Sequence, residues 1–289
     1  MSDLPGPMEP TKTTTIKTPG GDTLYAEEFV PQGAAPKGVV LVTHGYAEHC
    51  GRYRELAHVI VDAGWAVLTY DVRGHGQSPG ARGFIETFDH YLADLRGAHA
   101  QAENLAPGKP LVLLGHSHGS LITLRALCSD HPPSAAAAIV SSPYLALRLA
   151  VPAYKKVLAR FASRVAPALA QANSLRVEDL TSDKGKQAER LSDKLCFDVA
   201  TARWFTEAAA AQAFVESHAD QIKIPTTWLV AGADPIADPA ASKRVAARVP
   251  NAHYHDLVGL KHEVFNEVDR GKVFAEVTKV LSACSAASA

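Results

Sequence analysis

Cysteine is scarce in this chain, and neither sign of charge is in excess. Four cysteines occur in 289 residues, at Cys50, Cys128, Cys196 and Cys284, with no Cys-x-x-Cys pair. That spacing excludes a zinc cage or a dithiol redox motif and suggests reduced thiols acting as small apolar fillers. The formal net charge is −1, so no overall basic field draws in nucleic acid or an anionic membrane. No run of apolar residues is long enough to span a bilayer. The N-terminus has no basic start followed by an apolar stretch, the mark of a signal peptide. Cytoplasmic residence is the resulting expectation. What is present is ordinary for a soluble globular protein: 47% hydrophobic and 20% charged residues. The length suits one α/β domain, with or without an insertion.

Short apolar runs alternate with helical patterns after a polar leader at residues 1–14. The runs are 38–43, 65–70, 111–114, 136–140 and 226–230, with a last strand at 252–257. Near-continuous apolar runs of this length suit strands buried on both faces, hence a parallel sheet. Segments such as 86–105 and 117–131 carry helical spacing, which implies βαβ units. The alternation lapses at 144–205. That stretch is rich in Ala and Leu, with helical patterning at 147–172 and a polar patch near 176–194. It reads as a helical cap inserted into an α/β core formed by 15–143 and 206–289. A closing helix is expected at 264–282.

Gly-x-Ser-x-Gly occurs twice, around Ser117 (Gly115-His116-Ser117-His118-Gly119) and around Ser78 (Gly76-Gln77-Ser78-Pro79-Gly80). A nucleophile elbow needs a strand before the serine, a helix after it, and an N–H on the next residue to stabilise an oxyanion. Ser117 has all three, and His118 supplies the N–H. Ser78 is followed by turn residues, and Pro79 has no N–H. Ser117 is therefore the expected nucleophile, with Ser78 in a Gly/Pro-rich loop.

A serine at neutral pH needs a base within hydrogen-bond reach, and the base needs an acid to fix its tautomer. In this architecture the acid follows a later strand and the histidine follows the next. Asp234 leaves the 226–230 strand in Gly232-Ala233-Asp234-Pro235. His262 follows the last strand, in Val258-Gly259-Leu260-Lys261-His262. The second oxyanion N–H is expected from Tyr46, after the 38–43 strand and Gly45. Such a constellation forms and hydrolyses an acyl-enzyme without a metal or organic cofactor.

The stretch His44-Gly45-Tyr46-Ala47-Glu48-His49-Cys50-Gly51-Arg52-Tyr53 resembles the oxyanion loop of monoacylglycerol lipases and related lysophospholipases. Asp71–Ser78 is similar to their next loop, and the elbow, Gly232-Ala233-Asp234 and His262–Glu267 match in order and spacing. The resemblance covers roughly residues 15–282. It implies the α/β-hydrolase fold and esterase action on a single-chain lipid ester. It also implies that 144–205 is a lid over an acyl tunnel, in transient contact with a membrane surface. Leu145 and Leu149 are the expected substrate-binding residues. Leu147, Val151, Val157, Leu158 and Phe161 would add apolar wall. One departure stands beside the nucleophile: the family usually carries methionine where this chain has His118. A short-chain carboxylesterase, a lysophospholipase and a non-catalytic binder on the same scaffold are the competing readings.

Overall fold

A computed structural model describes residues 4–149, 151–173 and 175–287, with the side chain of Lys156 left out. Its frame is an eight-stranded sheet. The strands are β1 (Lys12–Lys17), β2 (Thr23–Phe29), β3 (Val39–Thr43), β4 (Ala66–Tyr70), β5 (Leu111–His116), β6 (Ala137–Ser141), β9 (Thr226–Ala231) and β10 (Ala252–Leu257). Their order is β1-β2-β4-β3-β5-β6-β9-β10. All neighbours from β4 to β10 pair in parallel, while β1–β2 and β2–β4 are antiparallel. Strands β3 to β6 and β9 are buried at every position, as near-continuous apolar sequence requires. Helices α1 (Arg54–Asp62), α2 (Asp89–Leu105), α3 (His118–Leu127), α8 (Pro239–Ala246) and α9 (Arg270–Ala287) flank it. Two apolar layers result. One holds Leu41, Leu68, Leu95, Leu121 and Trp228. The other holds Val40, Ile60, Trp65, Ile139 and Phe274.

Two features depart from the sequence reading. Residues 12–14 are not leader but the start of β1, which pairs with β2 along its full length. Neither strand shows as an apolar run. β1 has one buried residue, Ile16, and β2 carries Glu27 and Glu28 just before its last residue, buried charges that disguise a strand. Glu27 is accounted for by Arg54, whose Nη2 donates to its Oε1 at 2.6 Å.

The segment between β6 and β9 mixes helix with strand. It holds α4 (Ala153–Val165), β7 (Ala170–Ala172), α5 (Val177–Leu180), α6 (Lys184–Ser192), β8 (Val199–Thr201) and α7 (Ala202–His218). β7 and β8 form a small antiparallel ribbon inside a region read as helical. Three-residue strands lie below the reach of periodicity. Helix α7 starts before residue 206 and belongs to the core at both its ends: Trp204, Ala208, Ala211 and Val215 are buried in the first layer. Thr201 caps it by accepting from the Trp204 N–H at 3.2 Å.

Candidate active site

The elements that carry the expected residues all end at one edge of the sheet. Ser117 follows β5, Asp234 follows β9, His262 follows β10, and Gly45-Tyr46 follows β3. The carboxyl ends of parallel strands are where open α/β sheets gather ligands.

Ser117 sits in a strained backbone, φ 50° and ψ −111°, between β5 and α3. A left-handed φ on a residue with a Cβ marks a turn imposed by its surroundings. The flanking glycines explain the tightness. A Cβ on Gly115 would lie 2.7 Å from the Gly119 backbone, and one on Gly119 would run into the Thr43 and His44 carbonyls. Strand, helix and oxyanion loop therefore meet at van der Waals distance around this serine.

The structure brings Ser117, His262 and Asp234 together. His262 Nδ1–H donates to Asp234 Oδ2 at 2.7 Å, which leaves Nε2 bare to accept the Ser117 hydroxyl proton, at 2.8 Å. Asp234 Oδ1 accepts the Ile236 and Ala237 N–H groups at 2.8 and 3.0 Å. Both carboxylate oxygens are thus occupied and the group is held rigid. Burial lowers the pKa of His262, but the charge and hydrogen bond of Asp234, with Glu263 and Glu48 beyond, outweigh it and raise the net value.

The oxyanion loop is braced from several sides. His44 Nε2 accepts the Val72 N–H at 2.9 Å, so its Nδ1–H must donate to Gly45 O, at 2.7 Å. In a trans peptide the carbonyl and the following N–H point oppositely. Pinning Gly45 O therefore turns the Tyr46 N–H away from His44. Gly45 N donates to Glu48 Oε1 at 2.6 Å. Gly45, Tyr46 and Ser117 line one cavity. His118 is the first residue of α3, where the helical ladder leaves N–H groups without an intrahelical acceptor.

Four residues that sequence reasoning passed over tie this loop to the cap. Glu48 also accepts from Tyr53 Oη at 2.7 Å and Arg52 Nε at 3.1 Å. Arg52 Nη2 donates to Glu263 Oε2 at 2.5 Å. Arg190, from α6, donates to Ala47 O at 3.2 Å and Glu263 Oε1 at 3.5 Å. Burial pushes Glu48 up, but His116, Arg52, His44 and Arg190 outweigh it and bring it to about 2. Glu263 is lowered likewise by Arg52 and Arg190 against its burial. The i, i+4 spacing of Glu48 and Arg52 was visible in sequence; the partnership with Arg190, over a hundred residues away, was not.

Three other expectations resolve as follows. Ser78 is buried away from this cluster, with its hydroxyl donating to Asp71 O at 2.6 Å and accepting the Tyr25 N–H at 2.9 Å. Its motif glycine Gly76 (φ 49°) packs where a Cβ would strike the Asp71 carboxylate. His118 turns its ring away from the reaction cavity into an aromatic nest, with centroids 4.9 Å from Tyr91 and 5.5 Å from Trp204. Neither ring nitrogen has a partner among the described residues, and burial lowers its pKa to about 3. Leu145 and Leu149 do not line the reaction cavity. Leu145 is buried in the core layer under α7, and Leu149 is 80% exposed. Leu147 takes the expected place, with Leu175, Leu180, Trp204, Phe205 and Ile236. A strictly alternating run through a loop gave no means of choosing among the three leucines.

Known proteins agree with this architecture. A phospholipase of Bacillus subtilis (YtpA) is 29% identical over 245 residues, covering 83% of this chain and 93% of that protein. A monoacylglycerol lipase of Mycolicibacterium smegmatis is 29% identical over 267 residues, 90% of this chain and 92% of its own. The crystal structure of a monoacylglycerol lipase of Paleococcus ferrophilus superposes with a TM-score of 0.80 at 26% identity, over 90% of this chain and 99% of that one. The profile of the family described as serine aminopeptidase, S33, matches residues 34–269. This chain belongs to that family, as a serine hydrolase of the α/β-hydrolase fold.

Proposed function

We propose that this hydrolase cleaves the ester of a monoacylglycerol or a similar single-chain lipid through an acyl-enzyme on Ser117. The observation that carries the reading is the placement of the Ser117–His262–Asp234 chain of hydrogen bonds at the floor of an apolar cavity. Ser117 Oγ attacks the acyl carbonyl carbon as its proton passes to His262 Nε2. The Tyr46 and His118 N–H groups receive the oxyanion. His262 then gives its proton to the departing alcohol oxygen as the ester C–O bond breaks. Water, deprotonated by the same nitrogen, releases the fatty acid. Asp234 remains ionised throughout and stabilises the imidazolium.

The cavity favours a neutral ester over the peptide that the family description names. An aminopeptidase needs an uncommitted carboxylate for the substrate ammonium. Glu48 and Glu263, which line the cavity, are ion-paired with Arg52 and Arg190.

Residues 144–205 act as the lid, and α4 is its membrane-facing part. Val157, Phe161 and Val165 lie one turn apart on α4 and are each more than half exposed. From Arg148 to Arg176 the chain carries four arginines and two lysines and no acidic residue. A net charge of −1 conceals this basic, apolar stretch, so the inference that no anionic surface is attracted does not hold locally. Apolar side chains flanked by cations suit the interface of an anionic bilayer. Among the described residues no helix is long and apolar enough to cross a membrane. We place the protein in the cytoplasm on its unbridged Cys50, Cys128 and Cys196.

The test is a hydrolysis panel of monoacylglycerols, diacylglycerols, lysophospholipids, short esters and aminoacyl anilides. Monoacylglycerol turnover should dominate. Ser117→Ala should remove it by about 10⁴-fold or more, and Ser78→Ala should leave most of it in the folded fraction. Turnover confined to acetate and butyrate esters, or to anilides, would overturn the lipase reading.

A further inference from the structure

The reaction cavity is small. It encloses about 170 Å³, below the roughly 300–1,000 Å³ usual for small-molecule sites. Two larger cavities lie beside it in the lid. One, of about 450 Å³, runs beneath α4 and over the β7–β8 ribbon, against Tyr154, Leu158, Ala162, Leu169 and Ala172. The other, of about 580 Å³, lies beside residues 144–147 and carries Arg160, Gln212 and Glu216 in its wall. One side chain borders all three: Phe205, on the first turns of α7. Ala200 is shared between the reaction cavity and the one beneath α4.

We propose that Phe205 is the gate between the reaction cavity and an acyl channel beneath α4, and so sets the acyl-chain length this enzyme accepts. The inference rests on the lipid-ester reading above. With the ring in place, the floor of the site takes a short acyl segment. A longer chain must displace the ring toward α4, where the wall is mainly apolar, with Lys155, Gln171 and Thr201 as its polar members. The cavity beside residues 144–147 is the poorer route, because a chain entering it would desolvate two charged groups, Arg160 and Glu216, besides Thr206 and Gln212. Phe205 is half-buried and packs on the core layer from one side. Its neighbour Ala200 has no side chain long enough to block the ring's swing. Helix α4 has no side-chain N-cap, which leaves the N-terminal end of the channel's far wall weakly fastened, while Ser163 ties its other end to Thr206 and Arg203.

The experiment measures labelling of Ser117 by fluorophosphonates with ethyl, octyl and hexadecyl chains, alongside hydrolysis of monoacylglycerols from C4 to C18. Three forms are compared: wild type, Phe205→Ala and Ala162→Trp. Opening the gate should raise the hexadecyl-to-ethyl rate ratio about tenfold in Phe205→Ala. Filling the channel should lower that ratio about tenfold in Ala162→Trp. Ala162 lies in the lid and touches no reacting atom, so its variant keeps the test open should Phe205→Ala fail to fold. Unchanged chain-length profiles in folded variants would overturn the gate. A wild type that labels with ethyl fluorophosphonate but hydrolyses no monoacylglycerol of any length would instead overturn the lipid-ester reading.

Discussion

The floor of the reaction cavity and the roof above it are held by different forces. On the floor, Ser117, Asp234 and His262 are buried, and their side-chain hydrogen bonds join them to one another and to backbone N–H groups. In the roof, α4 turns Val157, Phe161 and Val165 outward and meets the rest of the molecule chiefly through α7. The roof is itself divided. Its second half, α5 and α6, is fastened to the core: Arg190 reaches Ala47 and Glu263, Asp193 accepts from His49 Nε2 at 2.6 Å, and Arg270 Nη1 donates to Asp183 at 3.1 Å. Groups that must hold sub-ångström positions are locked by charge and backbone, while α4, which must admit chains of variable length, rests on apolar contact and on one polar tie to α7, where Ser163 meets Thr206 at 2.8 Å and Arg203 at 2.7 Å. Rate constants therefore belong to the floor and its anchored border, and selectivity to α4 and α7.

The sharpest way to break that division is to cut the crossing point nearest the oxyanion loop. Arg190 is part of the roof by chain position and part of the floor by its bonds. Arg190→Met should lower kcat for a short soluble ester about tenfold or more with little change in KM, because the oxyanion loop loses the brace at Ala47. Complete loss of an oxyanion donor costs more, about 10²–10³. The same change leaves Glu263 with a single cation and should cost about 3–5 kcal/mol of stability. Stopped-assay kinetics and urea unfolding on one preparation separate the two. A stability loss with kcat intact would make Arg190 a fastening alone and would move the anchored half of the roof out of the catalytic unit.

A second experiment tests how dry the floor is. His118 titrates at about 3 in the folded chain and near 6.5 when unfolded. Between those values the unfolded chain holds the extra proton, so this group destabilises the fold as pH falls. The slope is about 1.4 kcal/mol per pH unit. His118→Met should remove that slope while keeping the backbone N–H, and with it most of the activity at pH 7.5. Urea unfolding at pH 6 and pH 5 should show the variant losing about 1.4 kcal/mol less than wild type. His116, lowered to about 4 by burial, leaves its own slope in both. Equal acid sensitivity would place His118 in contact with water rather than in a closed aromatic nest.

How much of this was legible in sequence follows the same division. The floor was readable because strands buried on both faces leave continuous apolar runs, and because Ser117 and Asp234 follow two of them and His262 follows the last, more polar edge strand, in order. The second Gly-x-Ser-x-Gly was separable on one physical point, the missing N–H of Pro79. The roof was not readable. Its leucines at 145, 147 and 149 have the same chemistry, and which one meets the cavity depends on how α7 packs, a contact between distant segments. Buried charge hid other parts. β2 carries Glu27 and Glu28 just before its last residue, and the Glu48–Arg52–Glu263–Arg190 network joins three segments that no local pattern connects. His118 shows a milder case: sequence marked it as a polar group near the site, but only packing shows the ring facing Tyr91 and Trp204.

The smallest effect on chemistry is expected at the outer face of the roof. Arg160 is exposed on α4, beside the apolar side chains proposed to meet the bilayer. Near an anionic surface one such cation contributes about 1 kcal/mol, so Arg160→Gln should weaken co-sedimentation with phosphatidylglycerol vesicles about fivefold. Binding to phosphatidylcholine vesicles should change little, and hydrolysis of a soluble butyrate ester not at all. Equal weakening on both vesicle types would show that Arg160 acts by packing its methylene stem, not by its charge. A fall in soluble-ester turnover would show that α4 reaches into the chemistry after all, and the contrast between floor and roof would have to be redrawn at α7. The Coulombic share can be isolated further by salt. With a Debye length of about 8 Å at physiological ionic strength and 3 Å at 1 M, the difference between wild type and variant should vanish at high salt. The apolar contribution of Phe161 and its neighbours should persist.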